Sequence, residues 1–309
     1  MKAIAQAPSK VIISGEHFVV HGAWALAAAI GKKVTIEAEA SDRLSVASDL
    51  SSGSPPSVLR PVSKVVEYMG RRFSFAPDLR FSITSEVPGG AGLGSSASTM
   101  VAVAAAVSRL RALELGTKDL VECAMVGERE IHGHPSGVDV AACAYGGVLR
   151  YRPGSDPKPV RFEGKRRMIV VFSGSSRSTK RLIGHVADVR ERLPAYFSAL
   201  VGSAGDVASI AEERLEEGDM EGLGRVLTYN HAVLSAVGVS TPRLDRLVDL
   251  LLSLGCYGAK LTGAGGGGSV LAVASEGREK RIISEVMKRG FEAFVSVIPV
   301  DGVKSWLRP

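Results

Sequence analysis

Apolar and polar residues alternate from Val34 to Ala40 (Val-Thr-Ile-Glu-Ala-Glu-Ala) and again from Leu79 to Ser85. A period of two puts every second side chain on one face, so both segments are expected as half-buried strands. Val11–Ser14, Val148–Tyr151, Met168–Phe172, Ala259–Thr262, Ser269–Ala274 and Ala293–Ile298 are short runs of strand character. Elsewhere the spacing is helical: Ser57–Tyr68, Lys118–Ile131, Ile183–Leu200, Gly205–Glu217, Met220–Val237, Pro242–Leu254 and Lys280–Arg289. Ser95–Leu115 is rich in Ala, Val and Leu with no interior Gly or Pro, and Gly116 stands where a C-terminal cap belongs. Gly133 and Pro135 end the helix that follows.

The polar, proline-bearing stretch Arg152–Lys165 reads as a domain boundary and divides the chain into 1–160 and 161–309. Strands in the first half and a strand–helix–strand mixture in the second predict two α+β domains meeting at a cleft. No internal repeat is evident.

The junction between a turn and the Ala-rich helix carries the strongest chemical signal: Pro88-Gly89-Gly90-Ala91-Gly92-Leu93-Gly94-Ser95-Ser96-Ala97. Such a loop aims backbone N–H groups and a positive helix end at one spot, as a polyphosphate requires. Serine hydroxyls at the helix start can cap it or reach a phosphate or Mg²⁺. No lysine follows the glycines, so the loop is not a Walker A motif. Gly263–Gly268 matches a dinucleotide fingerprint by composition, but a strand follows it where that motif opens a helix. The plain alternative for 88–97 is a flexible turn before a buried helix.

Composition narrows the class. In 309 residues, 45% are apolar and 23% charged, near globular averages, so a substantial core is expected. The net charge of +6 suits anionic substrates as well as nucleic acid, but aromatics at 6% and no basic–aromatic interleaving argue against nucleic acid. Cys123, Cys143 and Cys256 lack metal or disulfide spacing and favour a reducing compartment. The apolar runs Met100–Val107 and Ala23–Ile30 are too short for a bilayer, and Met1–Pro8 lacks the apolar core of a signal peptide. A cytoplasmic protein without membrane partners is expected.

Four further segments can carry chemistry. Lys10 precedes an apolar run that ends in Gly15-Glu16-His17. With a period of two, Lys10 shares a face with Ile12 and can point inward, although a lysine beside a strand is ordinarily exposed. Gly127-Glu128 lies on a predicted helix. Gly133-His134-Pro135-Ser136-Gly137-Val138-Asp139 delivers one aspartate into an apolar segment, where an acid is either paired or functional. Lys260–Gly268 supplies a second glycine loop. His132 and His134 have no third ligand at a familiar spacing and are expected as surface or turn residues.

In order from Ala7 to Ser269, these segments resemble the three motifs of the GHMP kinase superfamily, which includes galactokinase and homoserine, mevalonate and phosphomevalonate kinases. Lys10–Gly22, Gly127–Arg129, His134–Asp139, Arg177–Lys180 and Asn230-His231 with Gly238–Ser240 most resemble the mevalonate kinases. The first segment departs from the lysine–tryptophan pattern of the decarboxylase branch.

The resemblance implies a two-domain GHMP kinase fold, with a ribosomal protein S5 domain 2-like N-terminal domain, a ferredoxin-like C-terminal domain and the active site in the cleft. It implies ATP-dependent phosphorylation of mevalonate at its 5-hydroxyl, with Mg²⁺, by a monomer or homodimer. A phosphomevalonate kinase, a mevalonate 3-kinase, a sugar kinase or a silent relative are the alternatives. Pro88, Gly89, Gly90, Ala91, Gly92, Leu93, Gly94, Ser95 and Ser96 would wrap the ATP phosphates, and Ser96 with Glu128 would hold Mg²⁺. Asp139 would accept the hydroxyl proton, with Lys10 bridging the two. Glu16, His17, Gly137, Arg152, Thr179 and Gly265 would bind the substrate. The adenine pocket is expected near Asp49–Lys64.

Overall fold

The computed structural model describes residues 1–49, 55–87, 89–175 and 179–309. The chain begins with β1 (Lys2–Ser14), β2 (Ala25–Ala40), β3 (Ser45–Ser48), α1 (Pro55–Phe73), β4 (Leu79–Ser85), α2 (Ser95–Leu110), α3 (Thr117–His132), α4 (Val138–Tyr145), β5 (Val148–Tyr151) and β6 (Lys158–Pro159). Then follow β7 (Arg166–Phe172), α5 (Thr179–Arg192), α6 (Pro194–Glu217), α7 (Met220–Ala236), α8 (Pro242–Ser253), β8 (Cys256–Thr262), β9 (Ser269–Ala274), α9 (Glu279–Met287), β10 (Glu292–Ile298) and β11 (Lys304–Arg308). The first sheet runs β11-β1-β2-β4-β3, with β5 joining β2 to β6. The second is antiparallel in the order β10-β7-β9-β8.

β1 and β2 form the spine. Their pairing shifts register between Pro8 and Ser9, and the faces of β1 exchange there. Ala5 and Ala7 pack with α1, α2 and α3, whereas Val11 and Ile13 pack with Val170 and Leu271 of the second sheet. Ile12 instead meets Val138 and Ala142 of α4. The second half of β1 is therefore buried on both faces, which erases the alternation a half-buried strand would show.

Several boundaries differ from the sequence pattern. Gly116 does not end α2, which stops at Leu110; it is the extended N-cap of α3, and its N–H donates to Asp119. The segment Ile183–Leu200 is two helices, because Pro194 cannot continue α5 and instead starts α6 at its first position. Gly205–Glu217 is the second half of that same α6. β11 pairs with β1 in the register Lys2↔Arg308 to Gln6↔Lys304, closing the first sheet with the far end of the chain.

Candidate active site

A cavity of about 840 Å³ is lined by β1, the loop entering α2, α3, α4, α5 and the loop between β8 and β9. The loop Gly90–Gly94 forms one wall, and Gly94 is the N-cap of α2 with φ 76°. A Cβ at Gly94 would lie 2.8 Å from Lys10 Cε, so glycine is needed for both conformation and space. No side chain caps the start of α2, leaving first-turn N–H groups of Ser95 and Ser96 on the cavity wall. Anchors fix the loop from behind: Ser269 Oγ donates to Ala91 O at 2.7 Å, and Lys10 N donates to Leu93 O at 3.0 Å. Gly89 is exposed and outside this wall, and Pro88 lies outside the described residues.

Lys10 is buried to 1% exposure, against the ordinary habit of a strand lysine. Its Nζ lies 3.1 Å from Asp139 Oδ1 and donates to Gly92 O at 3.2 Å, so one ammonium ties the aspartate to the glycine loop. Asp139 sits in the first turn of α4, a short helix the sequence pattern does not announce. Gly137 caps that helix at φ 86°, and a Cβ there would meet the Tyr151 hydroxyl at 2.5 Å. Gly137 therefore aims Asp139; it does so through the backbone.

Glu128 completes this end. Gly127 lets α3 approach α2, since a Cβ there would lie 2.3 Å from Met100 Sδ. The neighbouring Glu128 is thereby buried beside Ser96, and its Oε1 has no hydrogen-bond partner among the described residues. Burial pushes the Glu128 carboxyl up to about 7; the Ser96 hydroxyl and Lys10 pull the other way, and Asp139 adds to the rise. His132 is not a plain turn residue: its Nε2 lies 3.4 Å from Ser96 Oγ and 3.7 Å from Glu128 Oε2, on the cavity wall. Its place one helical turn after Glu128 was the available signal.

At the other end, Glu16 pairs with the fully buried Lys260, which also donates to Ile12 O at 3.1 Å. Asn230 Nδ2 donates to Glu16 Oε2 at 3.3 Å. Burial lowers the Lys260 pKa, and Glu16 opposes that shift. Sequence reasoning missed the Lys260 partnership, although a lysine inside the apolar run Gly-Ala-Lys-Leu was the clue. His17 adopts φ 60°, unusual for a side chain, and its Nε2 lies 2.9 Å from Ala264 O; burial lowers its pKa.

The two glycine loops touch backbone to backbone. A Cβ at Gly263 would lie 3.0 Å from Gly92 O, and one at Gly265 would lie 2.3 Å from Val239 O. Gly265 lines the cavity, held by the Gly266 N–H donating to Val239 O at 2.8 Å. Arg152 is not brought to the cavity: it is exposed and stacks over Trp24 at 4.4 Å, where cation–π attraction holds it. Among the described residues, the guanidinium on the cavity wall is that of Arg190 of α5. Thr179 begins α5, but its side chain lies outside the described residues, as do Arg177 and Ser178. None of the described residues of Asp49–Lys64 lines this cavity; residues 50–54 and the side chains of 55–57 lie outside the description.

Comparison with known proteins shows the family. The model of the GHMP kinases N terminal domain matches residues 60–147, and that of GHMP kinases C terminal matches 211–293. The chain belongs to the GHMP kinases and has their two-domain fold. Its curated relatives include a mevalonate kinase of Aeropyrum pernix, 36% identical with 98% of each chain covered. One from Thermococcus gammatolerans is 33% identical, again over 98% of both. The structure superposes on L. major mevalonate kinase in complex with R-mevalonate with a TM-score of 0.83, 28% identity and 96% of each chain covered. On the Methanococcus jannaschii mevalonate kinase the TM-score is 0.82 at 27% identity, covering 96% and 98%.

Proposed function

We propose that this chain transfers the γ-phosphoryl group of ATP to the 5-hydroxyl of mevalonate. The observation that carries the reading is the Lys10–Asp139 pair, held 3.1 Å apart on the cavity wall beside an uncapped helix start, with the lysine buried and the aspartate partly open to the cavity. Phosphoryl transfer needs positioning and charge stabilisation more than covalent help, and these groups supply both.

The γ-phosphate seats on the N–H groups from Gly90 to Ser96, where the α2 dipole favours negative charge. The substrate oxygen attacks phosphorus as the bond to the β-bridging oxygen breaks, and ADP leaves. A primary alcohol is far too weak an acid to ionise first. Asp139 therefore takes its proton late, as the forming O–P bond acidifies the hydroxyl. Lys10 keeps Asp139 oriented and donates toward the transferring group.

The residues fit a Mg²⁺ ion. Among the described residues Glu128 Oε1 is buried without a hydrogen-bond partner, the Ser96 hydroxyl bonds the same carboxyl, and there is no cluster of three or more His, Cys, Asp or Glu. Two protein ligands with phosphate and water oxygens are what Mg²⁺ takes. Bound there, the ion would neutralise charge on the phosphates. Glu16 and His17 at the other end shape the mevalonate pocket, and Arg190 is the fork that the described residues offer to its carboxylate. Three free, buried cysteines support a reducing compartment, and no helix among the described residues is long and apolar enough to cross a membrane.

The test is ADP release with ATP and Mg²⁺ on mevalonate, phosphomevalonate and galactose, with product position read by phosphorus NMR. Turnover on mevalonate giving the 5-phosphate is expected. Preference for phosphomevalonate or galactose, or a 3-phosphate product, would overturn the reading.

A further inference from the structure

Behind the glycine loop 263–268 lies a chain of polar groups that the mechanism does not use. His231 of α7 is buried to 8% exposure, and its Nδ1 accepts the N–H of Leu261 at 3.3 Å. Its Nε2 lies 3.2 Å from Asp245 Oδ1 in the first turn of α8, and Ser240 Oγ donates to the same oxygen. A backbone N–H can only donate, so Nδ1 must be bare and the hydrogen sits on Nε2, directed at Asp245. Facing the imidazole are Asp245 and Asp249 from α8 and Lys260 from β8; burial lowers its pKa, which keeps it neutral at pH 7.

The position of Leu261 gives this bond its meaning. β8 is the edge strand of its sheet, so outward N–H groups there have no strand partner. Leu261 lies between Lys260, which pairs with Glu16, and Thr262, whose Oγ1 accepts Ile12 N–H at 2.8 Å. Both neighbours dock on β1, two residues from Lys10. The turn that holds Ser240 also offers Val239 O to Gly266 N–H at 2.8 Å. One frame, from Val239 to Asp245, thus grips both ends of the loop facing Gly92.

We infer that His231 is a positioning residue: held as a single tautomer by Leu261 N–H and the Ser240–Asp245 pair, it fixes β8 so that Lys260, Thr262 and the 263–268 loop stand in register with the Lys10 site. Only the activity arm of its test rests on the kinase reading.

Three variants test it. His231→Asn keeps an acceptor oxygen where Nδ1 stands, His231→Leu has none, and Asp245→Ala removes the tautomer anchor from a side chain that is 47% exposed. His231→Leu is expected to lower kcat by about tenfold to hundredfold, the scale of a small misplacement of reacting groups, with little change in the KM for ATP. Its Leu261 amide should exchange faster with deuterium. His231→Asn should stay close to wild type in both readouts, and nitrogen NMR of the wild type should show the His231 hydrogen on Nε2. A folded His231→Leu with wild-type kcat and Leu261 protection would overturn the inference. So would a hydrogen on Nδ1, or a His231→Asn as damaged as the leucine variant. Should His231→Leu fail to fold, Asp245→Ala decides: a smaller fall in kcat with faster Leu261 exchange supports the role, and no change in either refutes it. Absence of turnover on mevalonate by the wild type would sink the kinase reading and leave the exchange and NMR arms standing.

Discussion

Lys10 of β1 and Asp139 of α4 meet at 3.1 Å, the ammonium almost fully buried and the carboxylate 37% exposed toward the cavity. The asymmetry assigns their work. In the proposed reaction the lysine is a fixed post, and the aspartate is the group that substrate would reach.

Removing the proton acceptor should leave nucleotide binding in place. Asp139→Asn is expected to lose about 10²–10⁴-fold in kcat, the usual range for a general base. ATP affinity, measured by calorimetry, should hold. Wild-type turnover would take Asp139 out of the chemistry.

Gly94→Ala strains a left-handed residue and drives a methyl group into Lys10. Stability should fall by about 1–3 kcal/mol, the scale of a strained backbone position. Turnover should fall more than the nucleotide affinity does, because Lys10 is displaced. Denaturant unfolding and steady-state kinetics give the two readouts.

The raised pKa of Glu128 has a definite sign. Without metal, the native state binds this proton more tightly than the unfolded chain, whose carboxyl titrates near the ordinary 4.5. The group therefore costs stability as pH rises from about 4.5, and the full cost is reached above about 7. Glu128→Gln should be more stable than the metal-free wild type at pH 8, with the gap closing toward pH 4.5. It should also be inactive. Equal melting temperatures across this range would show that the carboxyl is not strained by burial.

Lys260→Met leaves Glu16 as a buried, uncompensated charge, an expected loss of about 3–5 kcal/mol. Adding Glu16→Leu should return most of that stability while activity stays lost. Urea titrations of the single and double variants separate the structural role of the pair from its place in the pocket.

Much of the site was legible because loop chemistry is local. The glycines of 89–94, the Gly137 turn and Glu128 after Gly127 each carry their geometry in adjacent residues, and the structure brings Gly90–Ser96, Lys10, Glu128 and Asp139 onto one cavity. What stayed hidden is long-range. Lys260 finds Glu16 across 244 positions, and the pairing of β11 with β1 joins the chain's extremes. Arg152 sits beyond a strand where an inward guanidinium was plausible, but Trp24 offers it a closer surface. The first half of β2, Ala25–Lys33, carries no alternation because Ala25 to Ile30 are buried on both faces. Pro194 was a readable stop inside an otherwise continuous helical pattern.

The exchange of faces along β1 ties the two hydrophobic cores together. One strand supplies Ala5 and Ala7 to the first and Val11 and Ile13 to the second, so neither can melt without stripping the other of a wall. Heating should produce one cooperative calorimetric transition, and a fragment cut near residue 160 would carry a raw apolar flank and aggregate. For an enzyme whose cleft is built from both halves, this coupling means that the catalytic groups are lost all at once or not at all.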